Sequence, residues 1–252
     1  MEHQITFAPE VIGYIGSFPL TNTIFVTWIT MAILVILSYL ATANLKTIPT
    51  GLQNFFEFAV EGIYDLVEGL AGLRTKIFFP ILATFFLFIV TANWLGLFPG
   101  FATIGWTEVH NGQKTFIPLL RSVNTDLNTT LALALVSVVL THFFSIKYLG
   151  IVTYLKHWFS LNPIFLFVGL LELVGEFTKL VSLSFRLFGN IFAGEVVLAT
   201  VSTIFPLSAF FIPLPFYGLE IIVGVVQGAV FMMLTLVFMV LLTEKHIGEE
   251  SH

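Results

Sequence analysis

The sequence predicts an all-α integral membrane protein, with about five membrane helices and one amphipathic helix lying along the interface. Two observations carry this. Of the 252 residues, 57% are hydrophobic and only 10% are charged, against about 25% charged in soluble domains. The apolar residues also fall in runs, several of them long enough for the roughly 20 residues that a bilayer crossing requires. Mean hydropathy is +0.98 and there are 29 Phe. A water-soluble fold of this length could not cover so much apolar surface, so lipid must be the main solvent. One membrane domain, 1–252, is the economical organisation.

Composition also excludes. The chain has no Cys, so disulfides and thiolate metal sites are absent. The net charge of −5 is scattered, with no basic cluster of the kind that binds nucleic acid. There is no Gly-rich phosphate loop, no set of His with ligand spacing and no recognisable catalytic triad. No cofactor or metal is expected, and the chain alone does not read as an enzyme. Met1-Glu2-His3 lacks the basic region of a cleaved signal peptide and reads as a mature end on the outer side.

The first span is expected at about 23–40, followed by a short polar stretch around Asn44, Lys46 and Pro49. The second is expected at about 77–98, with Arg74 and Lys76 just before it, and the third at about 127–146, ending at Lys147. Between the first two, over about 51–73, Leu52, Phe55, Phe56, Ala59, Val60, Ile63, Val67 and Leu70 recur at helical spacing. Glu57, Glu61, Asp65 and Glu68 fall between them. This pattern predicts an amphipathic interfacial helix. Thr50 and Gln53 have the spacing of a capping box at its start. Its polar face is acidic, which favours a protein partner over anionic lipid.

From Leu161 to Thr203 the chain is apolar apart from Glu172, Glu176, Lys179, Arg186, Asn190 and Glu195. As one helix this stretch would be about 60 Å long, twice the roughly 30 Å of a bilayer core. It is either strongly tilted or two spans turning near Glu176–Lys179. Pro206, Pro213 and Pro215 then break the chain, and a last span is expected at about 216–242. Lys46, Arg74, Lys76, Lys147, Lys156 and Lys245 share one side if the N-terminus is outside, against Lys114 and Arg121 on the other. The positive-inside rule then puts the C-terminus in the cytoplasm. This requires an odd net number of crossings within 161–203, which favours one long tilted helix carrying Arg186, or a hairpin with odd net passage, over two clean spans.

Arg186 is the most informative residue. An Arg at bilayer depth costs roughly 3 kcal/mol on insertion scales, and it cannot lose its proton to escape. At about 100° per residue, Glu172, Lys179, Arg186 and Asn190 share one helix face within about 40°, with Ser182 on its edge. Such a stripe must face protein, water or a partner. Glu172 and Glu176 can neutralise Lys179, but Arg186 has no carboxylate three or four residues away. Its counter-charge must come from elsewhere. Glu195 lies about half a turn from the stripe and serves a different space. Glu220, Gly224 and Gln227 line one face of the last span. Carboxyl groups at Glu195 and Glu220 can take up and release protons, which suits a relay or channel lining; the bland alternative is contacts between helices. Asn93, Thr141 and His142 read as interhelical hydrogen bonds, Asp126 with Asn128 as a helix cap, and Gly189, Gly194, Gly224 and Gly228 as close-packing points.

The stretch Ser182-Leu-Ser-Phe-Arg186-Leu-Phe-Gly-Asn190, continued by Ala193-Gly194-Glu195, resembles the signature of the F-type ATP synthase subunit a family. Asn93-Trp94-Leu95-Gly96-Leu97-Phe98-Pro99, Asp126-Leu-Asn128 and Gln227-Gly-Ala-Val-Phe231 follow in that family's order. The resemblance implies an ion-translocating stator subunit of a rotary synthase, multi-pass in a bacterial plasma membrane. It implies partners as well: a ring of c subunits, the b subunits of the peripheral stalk, the lipid bilayer and, indirectly, the F1 sector. Arg186 would discharge the carboxylates of the ring and separate two offset half-channels. Glu195 and Glu220 would line the outer half-channel, Asn190 and Gln227 would lie near the junction, and Glu172, Lys179 and Ser182 would lie toward the inner one. Some members carry His at the Glu220 position, so their relay detail does not transfer. The rival function is a self-contained ion transporter or channel, which internal repeats would favour; none is visible. A structural scaffold would leave Arg186, Glu195 and Glu220 replaceable.

Overall fold

A computed structural model describes residues 9–43, 45–98, 100–101, 104–110, 113–158, 163–204 and 213–243. The N-terminal residues 1–8, Asn44, Pro99, Leu161, Pro206 and Lys245, on which parts of the sequence reading rest, lie outside these, as do the side chains of Lys114 and Lys156.

Five long apolar helices dominate. The chain enters through a hairpin, β1 (Val11–Ile15) and β2 (Phe18–Thr21), and runs into α1 (Asn22–Thr42). Next come α2 (Leu52–Ala71), a 3-10 turn at Gly72–Arg74 and α3 (Thr75–Gly96). A second hairpin follows, β3 (Gly105–His110) with β4 (Gln113–Pro118), and then α4 (Leu127–Leu149), α5 (Ile151–Trp158), α6 (Pro163–Ile204) and α7 (Pro213–Thr243). The all-α class therefore holds, with the two hairpins as additions. Their turns were legible: Gly16, at φ +67°, lies between β1 and β2, and Asn111-Gly112, a strong hairpin dipeptide, separates β3 from β4 in sequence.

α6 is one helix of 42 residues with no turn at Glu176–Lys179. α7 begins at Pro213, ahead of the expected 216, so Pro213 and Pro215 occupy its first turn, where a missing N–H costs no hydrogen bond. The predicted capping box also fails. α2 begins at Leu52, so its N-cap is Gly51, which makes no side-chain cap. Gln53 is bonded instead to the backbone of Lys46 through both amide atoms, and to Glu57. Asp126 does cap α4, accepting from Asn128 N at 2.9 Å, and also accepts from Thr23 Oγ1 at 2.8 Å.

α3 and α7 pack side by side at the centre, with α4 and α6 against them. Phe78, Leu82, Met232, Leu236 and Met239 form one core cluster with Ile63 and Val67 of α2. Phe85, Ile89, Leu183, Leu187, Ile191 and Phe231 form another. Lipid tails are as apolar as these side chains, so close packing and hydrogen bonds between helices must supply the specificity. Ser137 meets Thr235 at 2.8 Å, Thr130 meets Ser184 at 3.2 Å, and Ser145 donates to Leu242 O at 2.7 Å. Thr141, expected to bond between helices, instead donates to Ser137 O within α4. A Cβ at Gly228 would stand 2.8 Å from Val90 Cγ2, so α3 and α7 approach there because the side chain is missing. Gly189 departs from the expectation: nothing lies within 4 Å of its would-be Cβ.

Candidate functional site

α6 presents two faces. Leu183, Ser184, Leu187, Ile191 and Gly194 are buried against the bundle, whereas Ser182, Phe185, Arg186 and Asn190 face outward. Arg186 therefore projects from the chain near the middle of its longest helix. Its Nη2 donates to Ser182 Oγ at 3.5 Å, and among the described residues no carboxylate pairs with it. A guanidinium cannot be left against hydrocarbon at that depth without several kcal/mol of cost.

Lys179 is accounted for within the chain. Its ammonium contacts the Glu176 carboxylate and lies 4.2 Å above the Phe238 ring of α7. This follows the internal-pairing reading, with Glu176 as the partner seen. Glu176 also lies 3.6 Å from His142 Nε2 on α4. Glu172 sits on the same face of α6, half-buried.

Farther along, α6 meets α7 again. Glu220 is 8% exposed and Gln227 9%, too buried for two polar side chains on an apolar helix unless other polar groups reach them. A Cβ at Gly194 would overlap the Glu220 carboxyl group. Glu220 thus rests on α6 one residue before Glu195, which is half-buried. Between the levels of Glu220 and Gln227, Asn93 of α3 donates to Gly224 O at 3.2 Å and accepts from Asn124 Nδ2 at 2.6 Å. Asn93 is 2% exposed and Asn124 is fully buried. A line of amide groups therefore reaches the Glu220 face of α7 from the segment before α4.

Arg186, Asn190 and Ser182 share the outward face, while Glu220 packs between α7 and α6 at Gly194, with Glu195 half-buried beside Gly194 in sequence and Gln227 buried two turns along α7. The sequence reading treated Asn93 only as a helix contact and missed Asn124. The available signal was the polar run Ser122-Val-Asn-Thr-Asp126 at the mouth of a span.

The family model for "ATP synthase A chain" matches residues 24–240, nearly the whole helical bundle. The chain belongs to the ATP synthase A chain family. It is similar to ATP synthase subunit a of Syntrophobacter fumaroxidans, 34% identical over 255 residues, covering 94% of this chain and 96% of that one. Subunit a of Geotalea uraniireducens is 38% identical over 216 residues, 84% and 83% of the two chains. That of Moorella thermoacetica is 35% identical over 230 residues, 91% and 94%. Membership makes this a non-catalytic, multi-pass membrane subunit of a bacterial ATP synthase, concerned with ion transport.

Proposed function

We propose that the chain is the ion-translocating stator of the synthase, with Arg186 as the group that discharges carboxylates on a rotating ring of c subunits. The observation that carries this is the outward guanidinium at mid-helix, with no carboxylate paired to it among the described residues. An adjacent cation favours the ionised form of a carboxyl group. A ring carboxylic acid arriving at Arg186 therefore gives up its ion, and the permanent charge of Arg keeps ions from crossing directly between the two sides.

Glu195 and Glu220 line the outer path, with Asn93 and Asn124 added to it, and Asn190 and Gln227 stand near its junction with the ring. Glu172, Lys179 and Ser182 mark the inner path. Each elementary charge crossing 100 mV yields roughly 2.3 kcal/mol, so several must pass for each ATP made elsewhere in the complex. The exposed acids Glu57, Glu61, Asp65 and Glu68 of α2 suit a contact with the b subunits of the peripheral stalk, α2 itself lying along the interface. Arg74, Lys147 and Gln53-bound Lys46 lie toward the end of the bundle assigned to the cytoplasm by charge. The N-terminus is then outside.

The test is ion-driven ATP synthesis in membrane vesicles whose synthase carries Arg186→Ala, with assembly of the complex checked in parallel. Synthesis is lost and assembly kept if Arg186 acts on the ring. Normal synthesis would sink the reading.

A further inference from the structure

One polar cluster enters the scheme above only through Lys179. His142 lies two turns before the end of α4. Its Nδ1 is 3.0 Å from the Tyr154 hydroxyl of α5, and its Nε2 is 3.6 Å from Glu176 Oε2 of α6. Glu176 in turn holds Lys179, whose ammonium is capped by the Phe238 ring. Three helices thus bring an imidazole, a phenol, a carboxylate and an ammonium into one chain of contacts. Tyr154 of α5 and Glu176 and Lys179 of α6 are titratable groups on this side of His142, and Phe238 of α7 adds an aromatic ring.

The cluster has three properties that a mere helix clamp does not need. His142 and Glu176 keep 23% and 14% of their side-chain surface, so both can be reached from outside the core. Glu176 precedes Arg186 by ten residues on one unbroken helix, which places it about 15 Å nearer the basic end of the bundle. The two imidazole nitrogens face different partners, so the ring can accept a proton at one and release it from the other.

Building on the stator reading, we propose that His142 and Glu176 form a proton-transfer station at the cytoplasmic entrance of the inner path. A proton arrives at Nδ1 from water or through the Tyr154 hydroxyl. The imidazolium releases the Nε2 proton to Glu176 Oε2, directly after a small ring rotation or through one water. The proton then leaves Glu176 along α6 toward Ser182 and the ring. The imidazole ends as the other tautomer and returns by rotation or by back-exchange with water, so one proton enters and one leaves. The ion that this station handles is H⁺.

The experiment uses inverted membrane vesicles containing the whole synthase and follows ATP-driven proton pumping over a range of external pH, with assembly checked by coupled ATP hydrolysis. Protons then enter from the cytoplasmic side. His142→Gln keeps a polar side chain but cannot relay. It should cut pumping by about fivefold at alkaline pH, where protons are scarce, and by less than about twofold at mildly acidic pH. Glu176→Gln should show the same slope, and it decides the matter if His142→Gln fails to assemble. Tyr154→Phe should give a smaller, pH-independent loss. Equal, pH-independent losses for all three, or wild-type pumping in both relay variants, overturn the proposal. If Arg186→Ala abolishes coupled transport while His142→Gln and Glu176→Gln are indifferent to pH, this inference alone fails. If Arg186→Ala pumps normally, the stator reading fails first.

Discussion

The carboxyl group of Glu220 on α7 occupies the space that a side chain at Gly194 on α6 would enter. The contact fastens an ionisable group from one helix to the backbone of the helix that carries Arg186. Gly194→Ala should therefore displace the Glu220 side chain rather than part the helices, because the obstructing atoms are the far end of a flexible chain. Ion-driven synthesis in vesicles should drop about tenfold or more, with the complex assembled. Glu220→Ala combined with Gly194→Ala removes the overlap, and it should assemble at least as well as the single variant without recovering synthesis. Recovery in the double variant would show that Glu220 carries no proton.

Glu220→Gln preserves shape and hydrogen bonding but cannot titrate. Coupled synthesis should fall by at least about tenfold, and Glu220→Asp should retain more activity than Glu220→Gln. Equal activities for the two variants would reduce Glu220 to a contact between helices.

Asn93 joins Asn124 to Gly224 through its two amide atoms. Asn93→Ala strands the Asn124 amide in a fully buried position, which should cost about 1–3 kcal/mol. Bonds between helices in membranes often lie at the low end of such ranges. The readout is the thermal stability of the detergent-solubilised complex, with Asn93→Asp, which keeps an acceptor for Asn124, lying between Ala and wild type. An unchanged melting profile for Asn93→Ala would remove the amide line from the argument.

Gly228 and Gly189 make a matched pair. A Cβ at 228 would meet Val90 Cγ2 at 2.8 Å, whereas one at 189 meets nothing within 4 Å. Overpacking of a tight contact typically costs about 1–3 kcal/mol. Gly228→Ala should accordingly lower the amount of assembled complex in the membrane, and Gly189→Ala should leave assembly as it is. The comparison is read by quantifying the chain in purified membranes.

Much of the helical architecture was open to sequence reading because it follows from local quantities. An apolar run either reaches the length of a bilayer or does not, and Ile63 and Val67 repeat on one face of α2 whatever packs against them. Arg186 stood out for the same reason: the penalty for a permanent charge among Phe185, Leu187 and Phe188 needs no knowledge of neighbours. The unbroken course of α6 was favoured only through the charges on the flanking segments, not by its own residues. Lys179 and Glu176 could have marked a turn, and they stay helical with their charges paired, with His142 of α4 and Phe238 of α7 beside them. The capping box failed because a start shifted to Leu52 moves Gln53 out of register.

By itself, then, the sequence determined that this protein lives in lipid, which long segments are helical and which charge is out of place, since hydrophobicity and helical periodicity are properties of consecutive residues, whereas the short helix α5 (Ile151–Trp158) went unread. Only the tertiary structure decided that Gly194 receives Glu220, that Asn124 reaches Asn93 and that His142 meets Glu176. Those pairs join residues far apart in the chain. Their proximity depends on how α3, α4, α6 and α7 pack, which short-range pattern does not encode.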